Sequence, residues 1–199
     1  MTVHSFSSAA GAAAPLTRAR VSGSLPVWSL SLGCPKNRVD TEHLLGSLGM
    51  PVHSVEHMGR ARLVFINTCG FIEPAVRESI RSILDAVERL GRCKRRPLLA
   101  VAGCMVGRYG VKDLAADLPE VDLWLPTGEL ENWPVMVREA LGLPAAPAAP
   151  GRLLSTGPSY AWLKVGEGCR HKCAFCTIPS IRGPLRSVPA ADLREEARG

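Results

Sequence analysis

A chain of 199 residues with 46% hydrophobic and 21% charged content can bury one ordinary core with sequence to spare, which predicts one complete domain and part of another. No apolar run approaches the roughly 18 residues of a membrane span, and no charged start with a short apolar stretch marks a secretory signal, so a soluble, cytoplasmic protein with no membrane partner is expected. The net charge of +6 is concentrated at Arg92, Lys94, Arg95 and Arg96 and from Lys164 to Arg186; such clusters suit a nucleic acid or ribosomal partner, although Arg92 to Arg96 alone reads as a solvated loop.

Residues 1–24 are rich in Ala, Ser and Gly, without acids or apolar periodicity, and predict a disordered extension. A transit peptide would have similar composition. From Leu25 an apolar run, a glycine or threonine with a cysteine, and a helical stretch alternate, as βα units do. Strands are expected at Val27–Leu32, Leu63–Asn67, Leu98–Ala102 and Val121–Leu125, with a further short one at Val52–Val55. Helices are expected from Pro35–Asn37 to Leu48, from Pro74 to Leu90, at Val111–Asp117 and at Leu130–Leu141. The pattern predicts an α/β fold, a doubly wound, mostly parallel sheet over residues 25–143. Residues 144–159 include PAAPAAPG and read as a linker. Tyr160–Val165 then predicts a new strand opening a second domain, residues 160–199, too short to close.

Seven cysteines form an odd set, and a reducing compartment turns them from disulfides toward metal ligation, catalysis or burial. Cys169, Cys173 and Cys176 form a CxxxCxxC loop, short enough for three thiolates to converge on one centre. Soft thiolates favour zinc, copper(I) or iron-sulfur clusters. Structural zinc takes four ligands in two short pairs; His171 is the available fourth group, but it lies inside the first gap, where joint ligation is awkward. Three cysteines on a four-iron cluster leave one iron open to bind a substrate or cofactor.

Cys34, Cys69 and Cys104 are dispersed, each 35 residues from the next and each at the carboxyl end of an expected strand. Parallel strands bring those ends to one sheet edge, where α/β folds bind ligands. Each cysteine alone reads equally well as a buried thiol; equivalent placement after three strands favours a shared role. Gly33, Gly70 and Gly103 beside them would allow close backbone approach to a bulky cluster. Cys93, within RCKRR, is outside the pattern and reads as a loop thiol.

SLGCPKNRVDTE, INTCGF and AVAGC, followed after the linker by LKVGEGCRHKCAFCTIPSIRGPLRS, resemble the radical S-adenosylmethionine methylthiotransferase family across the ordered chain. The resemblance implies an enzyme with two 4Fe-4S clusters, an auxiliary one on Cys34, Cys69 and Cys104 and a radical one on Cys169, Cys173 and Cys176. It implies that S-adenosylmethionine is held at the open iron of the second cluster and cleaved to a 5′-deoxyadenosyl radical. It implies also that residues 160–199 start a partial TIM-type barrel, so this chain is a piece of a longer enzyme and alone is expected not to turn over. A reducing electron donor and a sulfur donor are the partners such chemistry requires.

Pro35 and Lys36 after the first cysteine resemble the branch that modifies a ribosomal protein, since the tRNA-modifying branch typically has glutamine and methionine there. That branch adds a methylthio group to the β-carbon of an aspartate in the decoding-centre protein of the small ribosomal subunit. The competing readings are a tRNA adenosine methylthiotransferase, a non-catalytic iron-sulfur electron-transfer scaffold and a zinc-stabilised binding module. Asn37, Asp40 and Asn67 lie near the cysteine edge and read as orienting groups or as ordinary caps and turns. His43, His53 and His57 read as surface residues, and Arg182 and Arg186 as contacts to an acidic substrate or, more commonly, a solvated loop.

Overall fold

The computed structural model describes residues 23–145 and 151–198. The extension expected at 1–24 lies, up to residue 22, outside them, as does the middle of the 144–159 segment. Five strands, β1 (Leu25–Ser31), β2 (Val52–Ser54), β3 (Leu63–Thr68), β4 (Leu98–Gly103) and β5 (Leu123–Pro126), form one sheet in the order β2-β1-β3-β4-β5. Every pair is parallel, so the sheet is α/β as expected and wholly parallel.

The inner strands β3 and β4 are short apolar runs because both faces are covered. In β3, which has β1 and β4 as neighbours, all six residues are buried. Its alternation sends Val64 and Ile66 to one core with Ile83, Leu90, Leu99 and Met105, and Leu63 and Phe65 to another with Leu44, Leu48, Leu125 and Trp133. Helix α2 (Glu73–Gly91) covers the first face; α1 (Pro35–Gly46) and α5 (Trp133–Ala140) cover the second. Phe65 and Trp133 meet edge-on, ring centroids 6.2 Å apart, an arrangement worth about 1 kcal/mol beyond burial.

Between β4 and β5 the chain forms two short helices. The sequence predicts α4 (Val111–Asp117); α3 (Cys104–Tyr109), which begins at the cysteine itself, was not expected. The helix expected from Leu130 starts at Trp133, after a 3₁₀ stretch at Thr127–Asn132, with Pro134 in its first turn.

Beyond residue 151 one sequence expectation fails. Tyr160–Val165 forms no strand; the ladder begins only with β6 (Gly166–Glu167), antiparallel to β7 (Arg186–Ser187). A strand needs a partner edge, and among the described residues the pairing stops at one further bond, from Val188 N to Val165 O. Two short helices not expected from sequence, α6 (Ile178–Arg182) and α7 (Ala190–Glu196), complete this part. No helix among the described residues is long and apolar enough to cross a membrane.

The segment leaving the linker is strapped to α1. Arg152 donates to Glu42 Oε2 from Nε (2.9 Å) and Nη2 (2.7 Å), and Ser155 N donates to Glu42 Oε1 (2.9 Å). Glu196 of α7 accepts from Arg152 and lies 3.3 Å from His43, expected to be a plain surface residue. Glu42 is only 1% exposed. Burial pushes its carboxyl up, but the hydrogen bonds from Ser155 and Arg152 outweigh that and hold it below the usual carboxylate range.

We expect Glu42→Gln to lower the urea unfolding free energy by roughly 3 kcal/mol at neutral pH, the usual cost of stranding one partner of a buried pair. Because the Glu42 carboxyl titrates lower in the folded chain than in the unfolded one, the wild-type advantage is complete above the ordinary glutamate value of about 4.3 and shrinks as pH falls through the lowered one. Urea melts of both proteins across that range check this; a difference that ignores pH would show that the strap is not ionic.

Candidate functional site

Three of the expected site residues gather at the carboxyl edge of β1, β3 and β4. Cys34 is the residue before α1 and is exposed; Cys69 follows β3 and Cys104 opens α3, both buried. Their placement follows from the parallel register, which aligns Ser31 with Asn67 and Thr68 with Gly103. Ser79 on α2 clamps Cys69 by accepting from its N–H (3.1 Å) and donating to its carbonyl (2.9 Å). Burial pushes the Cys104 thiol up, Arg182 pulls it down in part, and Cys69 and Cys34 add to the rise, so the three sulfurs sense one another.

The glycines beside them make room for the protein itself. Gly33 has φ +82°, and a Cβ there would lie 2.8 Å from Cys69 Sγ; one at Gly70 would lie 2.7 Å from the Met105 backbone. Gly103, at φ +102°, lets β4 pass against Thr68 and Asn67. The first two cysteine loops thus approach within van der Waals contact.

Asn37 and Asn67 sit behind this edge, both fully buried. Asn37 Nδ2 donates to Leu32 O and Thr68 O, each at 2.9 Å, tying the end of β1 to the end of β3. Asn67 Nδ2 donates to Asn37 O (2.8 Å). These two amides tie the strand ends and the start of α1 together; neither caps a helix through its side chain.

Cys169, Cys173 and Cys176 lie on the loop after β6, with Cys173 exposed and the other two half-buried. Cys169 N donates to Gly183 O (3.1 Å) and Cys176 N to Cys173 O (3.0 Å). Phe175, next to the last cysteine, is 92% exposed. Cys93 stands apart from both triads, near Gly59 and the end of α2. Arg92 and Arg96 pair with Glu88 and Asp122 at the surface, in keeping with a solvated loop.

Arg182, for which a substrate contact or a solvated loop was expected, reaches the first triad from the residue before Gly183, whose carbonyl holds Cys169 of the second. It is 8% exposed. Its Nε lies 3.2 Å from Cys104 Sγ, its Nη1 donates to Asp40 Oδ2 (2.8 Å) and Glu167 Oε2 (2.9 Å), and its Nη2 donates to Asn37 Oδ1. Lys164 adds contacts to Asp40 and Glu167, and Lys36 to Glu167 and Gly166 O. Burial lowers the basicity of Arg182, but Asp40, Cys104 and Glu167 more than restore it, so it stays cationic. Glu167 is likewise held below the usual carboxylate range, its burial outweighed by Arg182, Lys164, the Gly168 N–H and Lys36. Sequence reading gives Lys36 only as a branch marker and Lys164 only as part of a basic cluster, and misses Glu167 and the pairing of all three. The available signal was Asp40, an acid on the buried side of a helix, which requires a counter-charge.

The donor set of each triad, three thiols with no fourth cysteine, fits an iron-sulfur cluster with one open iron. Among the described residues no group of three or more His, Cys, Asp or Glu is drawn tightly enough for a single metal ion. A four-iron cluster seats each thiolate on a different iron and asks for wider separation.

Residues 27–126 match the family described as "Uncharacterized protein family UPF0004". The chain is also 64% identical over 174 residues to a ribosomal protein uS12 methylthiotransferase RimO of Nitratidesulfovibrio vulgaris, covering 87% of this chain and 40% of that protein. Proteins of the same description from Lawsonia intracellularis (51% over 177 residues, 89% and 40%) and Anaeromyxobacter sp. strain K (41% over 182 residues, 86% and 38%) are similar to it. The chain thus spans about two fifths of the length of these curated relatives.

Gly33→Ala is expected to destabilise the protein by roughly 1–3 kcal/mol, because alanine is strained at positive φ and its methyl displaces the Cys69 thiol. Thermal unfolding and the labelling rate of Cys69 by a thiol reagent should change together. A variant with wild-type stability and labelling would show that the two loops do not touch.

Proposed function

The chain belongs to protein family UPF0004, and on that premise we propose that it is the amino-terminal part of a radical S-adenosylmethionine methylthiotransferase acting on ribosomal protein uS12. The observation that carries this reading is the arrival of Cys34, Cys69 and Cys104 at one edge, from the ends of three neighbouring parallel strands, in a chain that also carries a CxxxCxxC loop. The substrate is taken from the relatives' printed names and from Pro35 and Lys36, which follow the first cysteine.

On this reading residues 25–143 form the domain of the auxiliary 4Fe-4S cluster, on Cys34, Cys69 and Cys104, and 160–199 begin the radical domain, with Cys169, Cys173 and Cys176 on the second. Bound clusters and S-adenosylmethionine would supply a radical able to take hydrogen from the unactivated β-carbon of an aspartate, which no side-chain base can deprotonate. The chain's own residues hold the reacting centres in register. Asn37 fixes the strand ends beneath the first triad, and Gly183 O anchors Cys169 of the second. Burial of Cys69 and Cys104 keeps water from those thiols. The electron donor and sulfur donor act from outside the chain, in the cytoplasm.

Iron, sulfide and zinc analysis of the anaerobically reconstituted full chain tests the assignment. Iron and sulfide should appear in equal amounts and fall by about half in Cys34→Ala, Cys69→Ala or Cys104→Ala, and by about half in Cys169→Ala, Cys173→Ala or Cys176→Ala. Cys93→Ala should keep both. Zinc without sulfide would replace this reading with that of a zinc-stabilised binding module.

A further inference from the structure

The short run from Thr177 to Gly183 touches both cysteine triads. Gly183 O accepts from Cys169 N, and one residue earlier Arg182 reaches across to Cys104 on the α/β sheet. Thr127 Oγ1 donates to Ile181 O, and Ile181 is 4% exposed, so α6 is seated against the end of β5. The Arg182 guanidinium is therefore fixed on every side: Asp40 and Glu167 hold Nη1, Asn37 holds Nη2, and only Nε is directed at a sulfur. Such a planar fork cannot be reproduced by the point charge of a lysine. Around it two carboxylates, Asp40 and Glu167, face three cations, Arg182, Lys36 and Lys164. The surroundings of Cys104 are thus net positive and offer it a hydrogen bond.

Resting on the reading that Cys34, Cys69 and Cys104 hold an iron-sulfur cluster, we propose that Arg182 is a positioning residue contributed by the second segment of the chain, which hydrogen-bonds the Cys104 thiolate and raises the reduction potential of that cluster. Hydrogen bonds to cluster sulfurs and nearby positive charge favour the reduced, more negative state. Seating of α6 and the potential of the centre on the sheet are then one property. If the cysteine loop moves, Nε leaves the sulfur.

The test uses the full chain carrying Cys169→Ala, Cys173→Ala and Cys176→Ala, reconstituted so that it holds the cluster of the sheet alone, in a redox titration followed by electron paramagnetic resonance. Arg182→Gln is expected to keep iron and sulfide and to shift the midpoint to lower potential with an altered resonance. Arg182→Lys, which keeps the charge but not the directed N–H, is expected to fall between it and the parent. Lys164→Gln loosens the same ionic contact without touching a cysteine and should shift the midpoint less than Arg182→Gln. Where Arg182→Gln fails to fold or to hold the cluster, Arg182→Lys against Lys164→Gln carries the comparison: a lower midpoint for the lysine variant supports the role. An unchanged midpoint in the Arg182 variants, or an equal shift from Lys164→Gln, overturns the role of Arg182 while leaving the cluster assignment standing. A parent that takes up neither iron nor sulfide overturns both.

Discussion

Because β1, β3 and β4 run parallel and in register, whatever follows each of them must emerge at the same edge. That constraint turns three cysteines far apart in sequence into neighbours. The strand order reverses direction of winding at β1 and β3, where α1 leaves to one face and α2 to the other, opening the crevice in which Cys34 and Cys69 sit. Asn37 closes the floor of that crevice by satisfying carbonyls from both strand ends. Buried carbonyls at strand ends cost free energy when unpaired, so a fully buried asparagine is a structural requirement there.

The second constraint is electrostatic. Helix α1 carries Asn37, Asp40, Thr41 and Glu42 among its buried residues, a set that a helix on a free surface would expose to water. The two acids are buried because residues 151–182 lie over them with matching charges: Arg152 and Ser155 on Glu42, Lys164 and Arg182 on Asp40. Such pairs recover their desolvation only in good geometry, and so specify where the second segment sits more than they add to net stability.

Much of the sheet is legible in sequence, because apolar runs such as LVFIN and LLAVA, ended by a cysteine and glycine, have no reading as exposed loops. The cysteine edge follows from them. What is not legible depends on tertiary partners. Tyr160–Val165 has the composition of a strand, but composition does not provide a neighbouring edge, and apart from Lys164 and the one bond to Val165 O the run stays exposed and off any ladder. Arg182 resembles any surface arginine until Asp40 is known to be buried 142 residues away. Helix α3 is hidden in the sequence because Gly103 precedes it and Gly107 lies inside it, both poor helix formers; a Cβ at Gly107 would meet Thr127 first and then Ile181 of α6.

The strap between the two parts of the chain also orders events in time. Arg152 meets Glu42 across 110 residues, and Arg182 meets Asn37 across 145, whereas paired strands of the sheet lie much closer together in sequence. Contacts of long sequence span form slowly, since the intervening chain must be closed into a loop first. During synthesis the sheet and its two cores can therefore assemble while Arg152 and Arg182 are still to be made. Until then the acids of α1 face water and the cysteine edge stands open on the side that α6 later covers. The segment that closes the edge arrives only after every strand of the sheet has been made.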